Sequence, residues 1–99
     1  MTNAETDPEI KIIRHLPSRI AIADDLALAF RVEVNLRPPE FMNVAFVMLY
    51  GGSEEILVRC ADRAAVDRFL DRTELRSHPR TRWIKVTGPD GAVERVLAR

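Results

Sequence analysis

The stretch that most limits what this chain can fold into is Asn43 to Tyr50, a run apolar on both faces when read as a strand. Val44, Phe46, Met48 and Tyr50 fall on one side and Ala45, Val47 and Leu49 on the other, which marks a central strand or one covered twice. The residues around it extend the same reading. From Leu26 to Leu36 apolar side chains take every second position, with Ala27, Ala29, Arg31, Glu33 and Asn35 on a wet side, and Glu55 to Cys60 returns with Ile56, Val58 and Cys60 on one face. Arg37-Pro38-Pro39-Glu40 and Gly51-Gly52-Ser53 supply turn chemistry, so Leu26 to Cys60 is expected to be three consecutive antiparallel strands.

Around that block, Ile10, Ile12, Ile13 and Leu16 indicate a short first strand closed by Pro17. Pro17 to Ala29 can be read as a helix capped by Ser18, but the alternation of Ile20 and Ile22 favours a strand turned by Asp24-Asp25. Asp62 has the chemistry of a helix cap, and Val66, Phe69, Leu70 and Thr73 follow at helical spacing, so a helix is expected from Asp62 to about Thr73. Its outer face pairs Arg63 with Asp67 and Arg68 with Asp71. Arg82 to Thr87 and Ala92 to Leu97 form a hairpin across Gly88-Pro89-Asp90-Gly91, with Lys85 opposite Glu94 and Val86 opposite Val93. The class is α+β: a mainly antiparallel sheet of five or six strands, one helix and a C-terminal hairpin. Residues 10–99 form one domain behind a disordered tail, 1–9.

Charge and cysteine content narrow the function classes. The formal net charge is zero, with five basic and nine acidic residues up to Val58 and ten and six from Arg59 onward. So weak a field does not belong to a dedicated nucleic-acid binder. The single cysteine fits a reducing compartment, no secretory leader is visible at the N-terminus, and no apolar run approaches the ~20 residues of a membrane span. A soluble, cytoplasmic protein is expected, with no membrane partner. Thirteen arginines against two lysines suggest a bacterial-type source.

The candidate chemistry is sparse. Cys60 precedes a helix start, where a thiol pKa can fall, but the arginine that a phosphate-cradling cysteine loop needs six residues on is Val66. A buried, structural cysteine is the better reading, and an enzyme with a cysteine nucleophile ranks last. One cysteine and the scattered His15 and His78 give no metal-ligand spacing, so no metal, cofactor or catalytic residue is assigned. The carboxylate pairs Asp24-Asp25 and Glu54-Glu55 lie in turn-like sequence and are read as solvated. Arg72 to Lys85 carries net +4 around Trp83, which makes Arg76, Arg80, Arg82, Trp83 and Lys85 the candidate contacts of a nucleic-acid binder.

A helix from Asp62 to about Thr73, ~18 Å long, covers roughly two strands of such a sheet, and a doubly apolar strand then needs a second cover. The leading expectation is therefore a non-enzymatic interaction or regulatory module. It binds a protein, and as a homodimer itself, through an apolar sheet face bearing Phe41, Met42, Ala45, Val47 and Leu49. The alternative cover is the chain's own Pro17 to Ala29 segment or the terminal hairpin.

Overall fold

The computed structural model describes residues 7–16, 18–37 and 54–98. Six strands and one helix follow in order: β1 (Ile10–Leu16), β2 (Ile20–Ala21), β3 (Phe30–Leu36), β4 (Glu54–Cys60), α1 (Arg63–Thr73), β5 (Thr81–Thr87) and β6 (Val93–Ala98). They form one antiparallel sheet in the order β2-β1-β4-β3-β5-β6 with α1 on one face, an α+β fold ending in a hairpin.

The expected three-strand meander is corrected in its middle. β3 and β4 pair directly, from Phe30 opposite Cys60 to Leu36 opposite Glu54. The other edge of β3 is taken by β5 and that of β4 by β1, so β3 and β4 are direct neighbours in the interior of the sheet. Asn43 to Tyr50 itself, with its flanking Pro38-Pro39-Glu40 and Gly51-Gly52-Ser53, lies outside the described residues. Alternation reports which face a side chain takes but not which strand is its neighbour, and neighbour order is decided by distant pairing.

Two boundaries also move. The long strand begins at Phe30, not Leu26: the Asp25 side chain accepts from the Ala27 amide at 3.1 Å and its carbonyl from the Leu28 amide at 3.1 Å, a turn that leaves Leu26 75% exposed. In Pro17 to Ala29 the strand reading holds only for Ile20–Ala21, paired with Arg14 and His15, before the chain crosses toward β3. The terminal hairpin is one residue out of the expected register, with Lys85 opposite Arg95 and Val86 opposite Glu94. The cause is a longer turn: Gly88 donates to the Ala92 carbonyl at 3.0 Å, and Gly91 closes the loop at φ 84°.

α1 begins where expected. Asp62 is extended and its carboxylate accepts from the Ala65 amide at 2.8 Å, capping one of the free donors of the first turn. The helix stops at Glu74, in the left-handed region at φ 55°. Ala65, Val66, Phe69 and Leu70 face the sheet, with Leu75 just beyond; Thr73, expected in that stripe, is exposed and spends its hydroxyl on the Phe69 carbonyl at 2.7 Å. Arg63 reaches Asp67 as expected, at 3.5 Å, but Arg68 turns to Asp7 and Glu9 instead of Asp71. Asp7 to Glu9, the last residues of the expected tail, are held to the helix by these bonds and by Arg72 on Asp7 at 3.0 Å.

The core is the α1 side of the sheet: Val32, Val34, Val58, Cys60, Ile84 and Val86 are essentially without solvent contact against Val66, Phe69 and Leu70. α1 packs on β1, β3 and β4, one strand more than its width suggests, because it crosses the sheet's centre. Among the described residues no helix is long and apolar enough to cross a membrane.

Candidate functional site on the open sheet face

Because side chains alternate, the strands that bury valines under α1 present a second, different row of groups on the opposite face. The cross-strand register sets Arg95, Lys85, Glu33, Leu57 and Arg14 in one line across β6, β5, β3, β4 and β1, about 19 Å at ordinary strand spacing. A second line holds Ala98, Trp83, Asn35, Glu55 and Leu16, and a third Thr87, Arg31, Arg59 and Lys11. Among the described strands, this is a charged face with one tryptophan and one buried leucine.

The third line is covered by the chain itself. The segment after β2 must pass β1 and β4 to reach β3, and it does so on this face: Asp24 takes two hydrogen bonds from the Arg59 guanidinium, at 2.8 and 3.1 Å, and Asp25 stands 4.0 Å from Lys11. The Arg59 hydrogen bonds hold the Asp24 carboxyl below the usual aspartate range. The Asp24-Asp25 pair is thus spent on ion pairing.

The other two lines stay open at their ends. Glu33 lies 3.5 Å from Arg31, whereas Arg14, Lys85, Arg95 and Glu55 form no ion pair among the described residues. Lys85 Nζ sits 4.9 Å from the centroid of the Trp83 ring, a cation over the indole face. Asn35, expected on a wet side, is only 6% exposed, and its side-chain oxygen has no hydrogen-bond partner among the described residues. A buried amide oxygen without a partner is a destabilising feature that a water or a ligand donor relieves. Its cross-strand neighbours Glu55 and Trp83, with Arg14, Glu33 and Leu57, line a pit of about 40 Å³, room for one water.

The residues singled out in the sequence are dispersed. Phe41, Met42, Ala45, Val47 and Leu49 lie outside the described residues. Of the basic segment, Trp83 and Lys85 share the open face and Arg82 is exposed beside them on β5. Arg76 is drawn to Asp67 at 3.1 Å and Asp71 at 3.5 Å on α1. Arg80 is tied to Glu54 at 3.0 Å and to the Arg37 carbonyl at 2.6 Å. Arg72, Arg76 and Arg80 are therefore already neutralised by carboxylates.

Cys60 has no solvent contact, and burial pushes its thiol up to about 12, so it is protonated at neutral pH. His15, shared with Glu54 at 2.5 Å, lies at the other end of β4. Among the described residues no three His, Cys, Asp or Glu side chains gather as a metal set would require.

Arg14, Leu57 and Arg95 were not singled out from the sequence. Each looks unremarkable in its own strand, and only the pairing of five strands brings them into one line with Lys85. No protein-family model, curated protein or solved structure matches the chain.

Proposed function

We propose that this chain is a non-enzymatic interaction module that binds an acidic protein surface on the sheet face opposite α1. The observation that carries the reading is the line of cations Arg14, Lys85 and Arg95, which have no ion-pair partner among the described residues, flanking Trp83 and the Asn35 side-chain oxygen on a face that no described helix covers. An aromatic anchor amid charges and an unmet hydrogen-bonding group suits a protein contact, where the partner excludes water around a few residues. Among the described residues of this face, three cations without an ion pair against Glu55 favour an acidic partner over a second copy of the same face. Glu33 interrupts the line of cations and Glu55 lies beside it, so the face lacks the continuous basic track that a phosphate backbone uses, which favours protein over nucleic acid.

The test is capture from a lysate of the source cells by the immobilised full chain, beside its Trp83→Ala and Lys85→Glu variants, with and without nuclease. A protein captured by the parent, lost from both variants and unchanged by nuclease supports the reading. Capture that survives Trp83→Ala, or that disappears with nuclease, overturns it.

A further inference from the structure

The two edges of the sheet differ. β2 has two residues, enters from Arg19 in the left-handed region at φ 62° and leaves at once for the crossing segment, so it offers an incoming chain almost nothing. β6 is six residues long, bonded to β5 on one side, and at the end of the sheet order. No described residue lies along its other side. Val93 is 60% exposed, and Glu94 and Arg95 are exposed with it.

The hairpin fixes which backbone groups point outward. Gly88 donates to the Ala92 carbonyl, so by antiparallel alternation Val86 and Glu94 form the next doubly bonded pair, and the amides and carbonyls of Val93 and Arg95 face away from β5. Two such sets, about 6.8 Å apart, match the repeat of another extended backbone. On the α1 side an open groove of about 470 Å³ reaches this edge, floored by Phe30 and Val86 and walled by Pro89, Val93 and the Arg63–Glu94 ion pair. On the other side Arg95 has no ion-pair partner among the described residues.

We propose that β6 takes an extended segment of a different protein as a seventh strand. The incoming strand sets an apolar side chain into the groove and a carboxylate opposite Arg95, with main-chain bonds to Val93 and Arg95. A second copy fits worse. Antiparallel self-pairing that engages both outward sets runs about a two-fold normal to the sheet and pairs Val93 with Arg95, which sets Glu94 on Glu94, like charges face to face. The proposal shares Arg95 with the acidic-surface reading but rests on the outward backbone groups of β6 and the groove beside it, not on Trp83 or Asn35, so the Trp83 experiment can fail while this one succeeds.

The experiment pans a random twelve-residue peptide library displayed on phage against the full chain and resynthesises the selected sequences. The expected peptides alternate apolar residues with a carboxylate, slow the amide exchange of Val93 and Arg95 at least tenfold, and leave β2 unchanged. Arg95→Pro removes one outward amide while sparing the bonds to β5, and is expected to weaken binding at least tenfold with an unchanged melting curve. Arg95→Glu, which keeps the amide, is expected to weaken the same peptides through charge and serves if the proline variant does not fold. Failure to select any peptide, protection elsewhere than β6, or peptides that bind both variants as well as the parent overturns the proposal.

Discussion

Val32, Val34, Val58, Ile84 and Val86 meet α1 on one side of the sheet, while Arg31, Glu33, Leu57, Lys85 and Thr87, each one residue along in the same strands, occupy the other. The first set is nearly free of solvent and chemically uniform; the second mixes both charges, with Arg31 beside Glu33 and Lys85 without an ion pair among the described residues. Apolar burial is worth about 25 cal/mol per Å², so the valine face sets the stability of the fold. Exposed ion pairs contribute little by comparison. The second face is therefore free to be shaped by binding, since most changes there do not threaten folding.

The largest expected effect probes how closed the first face is. Cys60 lies wholly within it, with a thiol raised to about 12 by burial, so a thiol reagent reaches it only when the core opens. Labelling of the native chain is expected to be at least about a thousandfold slower than in urea-unfolded chain, the ratio that an opening cost of about 5 kcal/mol implies. Fast native labelling would break the contrast between the faces.

An intermediate effect sharpens it with two adjacent residues. Ile84→Ala empties part of the core and is expected to lower stability by about 2–5 kcal/mol in urea titration. Lys85→Ala, on the other side of the same strand, loses its contact with Trp83 and is expected to cost under about 1 kcal/mol. Equal losses would mean that both faces carry the fold.

The smallest effect concerns the crossing segment. Arg59 holds the Asp24 carboxyl below its ordinary value, so the unfolded chain binds that proton more readily than the folded one. The contribution is full above the ordinary aspartate value of about 3.9 and is lost as the pH falls through the lower, folded value. Parent and Asp24→Asn are expected to differ in urea midpoint at pH 7 and to converge as the pH is lowered below about 4. A gap that persists in acid would assign the difference to something other than that carboxylate's charge.

Much of the fold was legible because it rests on local chemistry. Asp62 and the spacing of Val66, Phe69 and Leu70 specify α1, and the alternation from Phe30 to Leu36 assigns each side chain to its observed face. The errors lie where a distant partner or a turn decides. Leu26 and Leu28 keep the alternation by sequence alone, but the Asp25 turn and the need to cross β1 and β4 take them out of the sheet. One extra residue in the Gly88 to Ala92 turn shifts β6 by one place. Of the candidate site, Trp83 and Lys85 were visible as an aromatic beside cations, whereas Arg14, Leu57 and Arg95 join them only through strand order. Asn35 was misjudged as wet because its burial depends on neighbours from β4 and β5, Glu55 and Trp83.

The sheet order bears on how the chain is made. β3 at its centre needs β4 on one side and β5 on the other, and Arg31 cannot meet Thr87 until more than fifty intervening residues have emerged. Such distant pairing is slow, since loop closure comes before the contacts that reward it. A nascent chain that has reached only α1 still carries β3 with an unpaired edge, and that edge is the stretch a folding assistant would have to shield until Thr81 to Thr87 arrives.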